Sequence, residues 1–171
     1  YAKALFSLAK EKGQESRVYE DMKMLTDSFS LEPELRVALG NPIIPAKEKL
    51  KLLTAAGGIE VSDLYERFIR LVLQHKRENF LLFMAHIYIH LYRKDKCITR
   101  VQFSTAVPVD EEVKEHLQNK LKEETGSTIE FSGIVQPELI GGFRLRIGNY
   151  RIDASYATQL RDLRSRLLEN K

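Results

Sequence analysis

The chain has 171 residues, 43% of them hydrophobic and 30% charged, which is too apolar for a disordered chain and sized for one domain or two small, partner-dependent ones. Its formal charge of +3 splits into 16 − 13 = +3 over residues 1–96 and 11 − 11 = 0 over 97–171, so neither half carries the basic excess that coats nucleic acid. Cys97 is the only cysteine, which excludes an intramolecular disulfide and points to a reducing compartment, and the longest apolar run, Phe80 to Tyr92, is shorter than the ~20 residues that span a bilayer.

No secretory leader pattern is present, and Tyr1 already lies inside a helical pattern, so a few further residues are expected upstream. From Tyr1 to about Asp95 apolar residues recur at helical spacing, interrupted by Gly13, Pro33, Gly40-Asn41-Pro42 with Pro45, and Gly57-Gly58. The punctuation predicts helices over 1–12, 15–30, 33–39, 46–56, 62–77 and 79–94, with Pro33 and Ser62 as N-terminal signals.

After Lys96 the period falls to two. Val101, Phe103, Thr105 and Val107 share one face of a predicted strand that Pro108 ends. Asp110 is placed to cap a helix with the stripe Val113, Leu117 and Leu121, closed by Gly126, and a second strand follows over Thr128 to Gln136. Phe143, Leu145 and Ile147 alternate with Arg144 and Arg146, and Gly148-Asn149 reads as a two-residue hairpin turn into Tyr150, Arg151 and Ile152. Ser155 opens a last helix striped by Tyr156, Leu160, Leu163 and Leu167. The fold class is therefore α+β: a helical half over 1–95, then a small α/β domain over 96–171 in the order βαβββα, about four strands and two helices.

Chemistry is sparse along this chain. His86 and His90 have the spacing of a zinc helix, but the glutamate of the metalloprotease motif and a third ligand are missing, so both are read as the polar edge of a buried helix and no metal is expected. Ile140-Gly141-Gly142-Phe143 matches neither the dinucleotide fingerprint nor the phosphate loop, and no cofactor is expected. Gly141 and Gly142 instead mark a position of positive φ or close strand approach. Asp153 beside Arg144, Arg146 and Arg151 admits a rival reading as a small enzyme. Lys120 and Lys122 with the arginines of the last helix admit another, as a small RNA-binding α+β protein, though no aromatic residues interleave with them.

Two helices carry more apolar width than one core contact needs. Tyr1, Leu5 and Leu8 line one stripe of the first helix while Ala2, Phe6 and Ala9 line another. In helix 62–77, Leu64, Phe68, Leu71 and Val72 form one face that Tyr65, Ile69 and Leu73 extend. Such a pair either lies at the centre of a bundle or leaves a groove for a partner helix.

Several segments together resemble a known family: Tyr-Ala-Lys-Ala-Leu-Phe at 1–6, Asn41-Pro42 followed by Lys47 to Leu53, Phe68 to Leu73, Leu139-Ile-Gly-Gly-Phe143, Ile152-Asp153-Ala-Ser155, then Leu160 and Leu163. They resemble the delta subunit of F-type ATP synthase, whose mitochondrial counterpart is the oligomycin-sensitivity-conferring protein. The resemblance spans essentially the whole chain and is sharpest from Gly141-Gly142 through Asp153 and Ser155. It departs from the family at Tyr156, where an aliphatic residue is more usual, and in the charged junction Arg93 to Lys96.

The resemblance implies a six-helix N-terminal bundle and a smaller C-terminal α/β domain in a non-catalytic stator part. It implies that the bundle takes the N-terminal helix of an alpha subunit between its first and fifth helices, with Tyr1, Ala4, Leu5, Leu8, Phe68, Ile69, Val72 and Leu73 as groove candidates. The C-terminal domain would meet the b subunits of the peripheral stalk, one copy of the chain serving each complex. The location implied is the cytoplasmic face of a bacterial membrane, or the matrix or stroma in an organelle, with membrane association only through the complex.

Overall fold

The computed structural model describes residues 1–58, 60–108, 111–148 and 150–169. The chain divides into two compact units, Tyr1–Asp95 and Lys96–Lys171. Among the described residues, the first contains helices α1 (Ala2–Glu11), α2 (Glu15–Leu31), α3 (Pro33–Gly40), α4 (Ala46–Gly57), α5 (Asp63–Gln74) and α6 (Leu81–Asp95), with a 3-10 turn over Glu78–Phe80.

The local chemistry of the breaks explains these limits. Gly13 adopts φ +64° after α1, and the Gln14 amide donates back to the Ala9 carbonyl at 2.9 Å, a left-handed C-terminal cap. Pro33 stands in the first turn of α3, and the Ser62 hydroxyl accepts the Tyr65 amide at 3.2 Å to start α5. Helix α5 stops three residues short of the predicted 77. Lys76 takes the left-handed position at φ +53°, while the amides of Lys76 and Arg77 return to Leu73 and Val72 at 3.0 Å each. This is the glycine-type helix ending made with a lysine, so the sequence shows no sign of it.

Helix α2 runs through the middle of the first unit, packing against α6, α4 and α5. Val18, Met22 and Leu25 are fully enclosed with Leu53, Ile69, Leu81 and Tyr88. Tyr19 stacks on Tyr92 at 4.3 Å, and Phe6 meets Tyr88 edge-on at 5.6 Å. Gly57 allows the ring of Tyr65 to lie where a Cβ would come within 2.8 Å of it, and the Tyr65 hydroxyl donates to the Leu53 carbonyl at 2.7 Å. Burial, helped by the Asp21 carboxylate, holds that phenol above its ordinary range.

Two buried charges tie the helices together. Asp21 accepts from the amide and hydroxyl of Ser62, at 3.0 and 2.5 Å, so the start of α5 is anchored on α2. Lys49, on α4, donates from Nζ to the Leu39 carbonyl at the end of α3 (2.6 Å) and to Glu78 Oε1 (2.8 Å). Burial alone would raise the Glu78 carboxyl, but the bond from Lys49, a backbone bond and the charges of Lys49 and Lys76 outweigh it and lower the pKa.

The second unit contains β1 (Ile98–Thr105), α7 (Glu111–Thr125), β2 (Thr128–Val135), a 3-10 turn over Pro137–Leu139, β3 (Gly142–Ile147), β4 (Tyr150–Ser155) and α8 (Tyr156–Glu169). The strands lie in the order β2-β1-β3-β4, with β1 parallel to β2 through α7 and the other pairs antiparallel. The fold is thus α+β, as the change of period predicts.

Val101, Phe103 and Leu145 point to one side of the sheet, where Ile129 and Leu121 complete a small core with Leu117, Phe131 and Ile147 at its border. Val107 departs from the predicted inward face. The strand ends at Thr105, whose hydroxyl donates to the Val107 carbonyl at 2.7 Å, and the bent chain leaves Val107 exposed. The expected Asp110 cap lies outside the described residues, as does Asn149 of the hairpin turn; Gly148 has φ +55°.

Candidate functional site

Tyr1, at the N-cap of α1, and Ala4, Leu5 and Leu8 of that helix border a cleft of about 420 Å³ whose other wall is Leu64, Arg67, Phe68 and Leu71 of α5. The second stripe of α1 turns to the core, where Ala2 and Ala9 are buried and Phe6 packs on Tyr88. Tyr1 closes one end: its ring meets His75 edge-on at 6.3 Å, and the Arg77 guanidinium lies 5.0 Å from its centroid.

Exposure separates the floor of this cleft from its rims. Leu5, Leu64 and Phe68 are buried, whereas Leu8 and Leu71 remain 41% and 43% exposed on opposite walls. Isolated exposed leucines are commonplace, but here they flank a continuous apolar trough.

Five of the eight groove candidates, Tyr1, Ala4, Leu5, Leu8 and Phe68, come together at the cleft. Ile69, Val72 and Leu73 do not: Ile69 and Val72 are 0% exposed in the helical core, and Leu73, 8% exposed, borders a separate cleft with Pro42, Ile44 and Lys49. An α5 residue one position after Phe68 is rotated about 100° around the axis, so Ile69 leaves the cleft by simple helical geometry. Leu64, Arg67 and Leu71 belong to the cleft in their place. Leu64, Phe68 and Leu71 at i, i+4 and i+7 were the available signal, and only the neighbours of α5 distinguish that stripe from the adjacent one.

The second unit presents a different apolar surface. The part of the sheet near β4 is only partly covered on its core side, leaving Ile152 and Tyr150 54% and 80% exposed. Helix α8 leaves Tyr156, Leu160, Leu163 and Leu167 exposed along its length.

The motif residues Gly141, Gly142, Asp153 and Ser155 set the start of α8. Gly142 has φ +73°, and a Cβ there would stand 2.2 Å from the Ala154 carbonyl oxygen. At Gly141 the obstacle would be the ring of Tyr156, at 2.6 Å. Asp153 receives the Ser155 hydroxyl at 2.6 Å, Arg151 Nη2 at 2.8 Å and Arg144 Nε at 2.9 Å. Those hydrogen bonds, from Ser155 and Arg151 ahead of Arg144, outweigh burial and hold its carboxyl far below the usual carboxylate range. Ser155 is fully buried and its Oγ lies 3.4 Å from the Thr158 amide, in the capping position of α8.

His86 and His90 are both exposed on α6. Among the described residues no three histidine, cysteine or acidic side chains gather as metal ligands, and no helix is long and apolar enough to cross a membrane.

Residues 1–167 match the family described as the ATP synthase delta (OSCP) subunit. The ATP synthase subunit delta of Parabacteroides distasonis is 77% identical over 171 residues, covering 100% of this chain and 95% of the relative. That of Phocaeicola vulgatus is 48% identical over 169 residues, covering 98% of this chain and 91% of the relative. In fold, the chain is similar to one in the cryo-EM structure of the Toxoplasma gondii mitochondrial ATP synthase hexamer, with TM-score 0.75 at 23% identity over 98% of this chain and 95% of that one. The alternative of a small RNA-binding protein finds no support in these matches. A family match through residue 167 and 77% identity over the full length establish that this chain belongs to the ATP synthase delta (OSCP) subunit family.

Proposed function

We propose that this chain is a non-catalytic stator subunit of an F-type proton-translocating ATP synthase, linking the alpha/beta catalytic head to the b-subunit stalk so that the head withstands rotor torque. Such a part works by holding two partners at once. Its two units raise the effective concentration of each partner for the other, so contacts of moderate strength hold the assembly.

In this reading residues 1–95 act as a six-helix bundle on the head and residues 96–171 meet the b subunits. The observation that carries the first assignment is the open apolar trough between α1 and α5, with Leu8 and Leu71 on its rims. An amphipathic helix laid along it would bury one face against Leu5, Leu64 and Phe68, the way helices dock in grooves elsewhere. We assign the occupant as the N-terminal helix of an alpha subunit. The uncovered stripe of α8 and the exposed Tyr150 and Ile152 suit the stalk, since both are apolar and lie in the unit with the smaller core. One copy per complex, held at the cytoplasmic face of a bacterial membrane by the rest of the assembly, completes the proposal.

Calorimetric titration of the full chain with a synthetic peptide of the alpha N-terminal segment tests the groove. Saturable one-to-one binding is expected, lost in Leu8→Glu and in Leu71→Glu, whose exposed positions leave the fold intact. Failure of the well-folded chain to bind, or unchanged binding by both variants, refutes the assignment.

A further inference from the structure

The face of the sheet opposite Val101, Phe103 and Leu145 is polar, and its register concentrates cations. Arg144 of β3 stands across from Asp153 of β4, and Arg146 stands across from Arg151. On the other side of β3, Arg144 faces Ser104 and Arg146 faces Gln102. Two arginines directly opposite one another on a sheet are unfavourable unless something of opposite charge intervenes.

Asp153 answers only part of this charge. Its Oδ2 takes both Arg144 and Arg151, leaving three guanidinium groups against one carboxylate, 3 − 1 = +2, with Arg146 in no ion pair among the described residues. The same-face carboxylate on β2, Glu130, stands opposite Arg100, outside this cluster.

The cluster encloses a pocket of about 150 Å³ lined by Gln102, Ser104, Gln136, Arg144, Arg146 and Arg151. Guanidinium groups offer only donors, while the two amides and the hydroxyl can add further ones. That lining of donors and net positive charge suits an oxyanion, because each guanidinium can present two parallel N–H groups to paired oxygens. The space is well below the ~300–1,000 Å³ of pockets that enclose larger organic ligands, and fits one small tetrahedral group.

We propose that this pocket binds a phosphate dianion, with free orthophosphate as its source. The dianion brings the +2 of the cluster to zero and places negative charge between Arg146 and Arg151, where the register leaves two cations facing each other. This goes beyond the stator reading, because neither the α1/α5 trough nor the apolar surface of α8 takes part in it.

The test is calorimetric titration of the full chain with inorganic phosphate, with ionic strength held constant by sodium chloride. One site per chain is expected, with affinity about tenfold weaker in Arg146→Gln, as loss of a hydrogen bond to a charged group implies. Arg100→Gln, on the same face but outside the pocket, is expected to bind like the parent. Circular dichroism confirms that both variants keep the fold. Absence of saturation, or equal weakening by the two variants, overturns the proposal. A parallel arm uses phosphatidylcholine vesicles with and without phosphatidic acid: vesicle binding that depends on Arg146, without saturation by free phosphate, assigns the pocket to a lipid headgroup and overturns the free ion as ligand.

Discussion

Replacing Lys49 by Met removes the cation that joins three segments of the first unit while keeping most of its apolar stem. In the parent, Lys49 Nζ serves both the Leu39 carbonyl and Glu78 Oε1, and the two side chains are 6% and 15% exposed. Among the described residues the other Glu78 oxygen, which is buried, has no hydrogen-bond partner, so the variant strands a carboxylate that already lacks one contact. Breaking a buried pair from one side costs about 3–5 kcal/mol, and the residual access of Glu78 to water puts Lys49→Met near the lower end, about 3 kcal/mol. The double variant Lys49→Met/Glu78→Met removes both charges and is expected within about 1 kcal/mol of the parent, the remainder reflecting the Leu39 carbonyl without its donor. Urea unfolding followed by tyrosine near-ultraviolet circular dichroism reports mainly on this unit, since Tyr1, Tyr19, Tyr65, Tyr88 and Tyr92 lie in it and only Tyr150 and Tyr156 do not. The lowered Glu78 pKa adds a pH signature. The parent gains stability from this carboxylate above its unfolded pKa of about 4.3 and loses it as pH falls through the lower folded value, whereas Lys49→Met is relieved once Glu78 protonates, so the gap narrows in acid. A single variant as stable as the parent, or a double variant no better than the single, refutes the reasoning.

Other perturbations separate packing from surface and one unit from the other. Ile69→Ala empties a fully enclosed position and is expected to cost about 2–5 kcal/mol in urea unfolding, whereas Leu8→Ala at the groove rim costs under about 1 kcal/mol. Gly142→Ala forces a side chain into a left-handed position against the Ala154 carbonyl oxygen and should destabilise the second unit by about 2 kcal/mol or more, read by thermal unfolding. Asp153 is held ionised by Ser155, Arg151 and Arg144, so its stabilisation is complete above about pH 4 and fades as pH falls through its depressed folded pKa. Asp153→Asn is expected to flatten the acid limb of the second unit's stability, measured by thermal unfolding from neutral pH downward; an unchanged acid limb would count against that role.

Periodicity and punctuation were enough to separate the helical half from the α/β half, because Gly13, Pro33, Ser62 and Gly126 act on the backbone within a few residues of themselves. The end of α5 escaped the same reading, since Lys76 adopts the left-handed cap without any intrinsic preference for it. The sequence by itself determined that α1 and α5 have two apolar stripes each, as a helix repeats its faces by spacing alone. Tertiary structure alone decided which stripe stays open: α2 and α6 pack against α1, and α4 and α2 pack against α5, so Ala2, Ala9, Ile69 and Val72 are buried while Tyr1, Leu8 and Leu71 stay at the cleft. The same division holds in the second unit. Alternation along β3 put Arg144 and Arg146 on one face, but only strand register set Arg146 against Arg151 and brought Asp153 to Arg144, because pairing between strands is fixed by contacts distant in sequence.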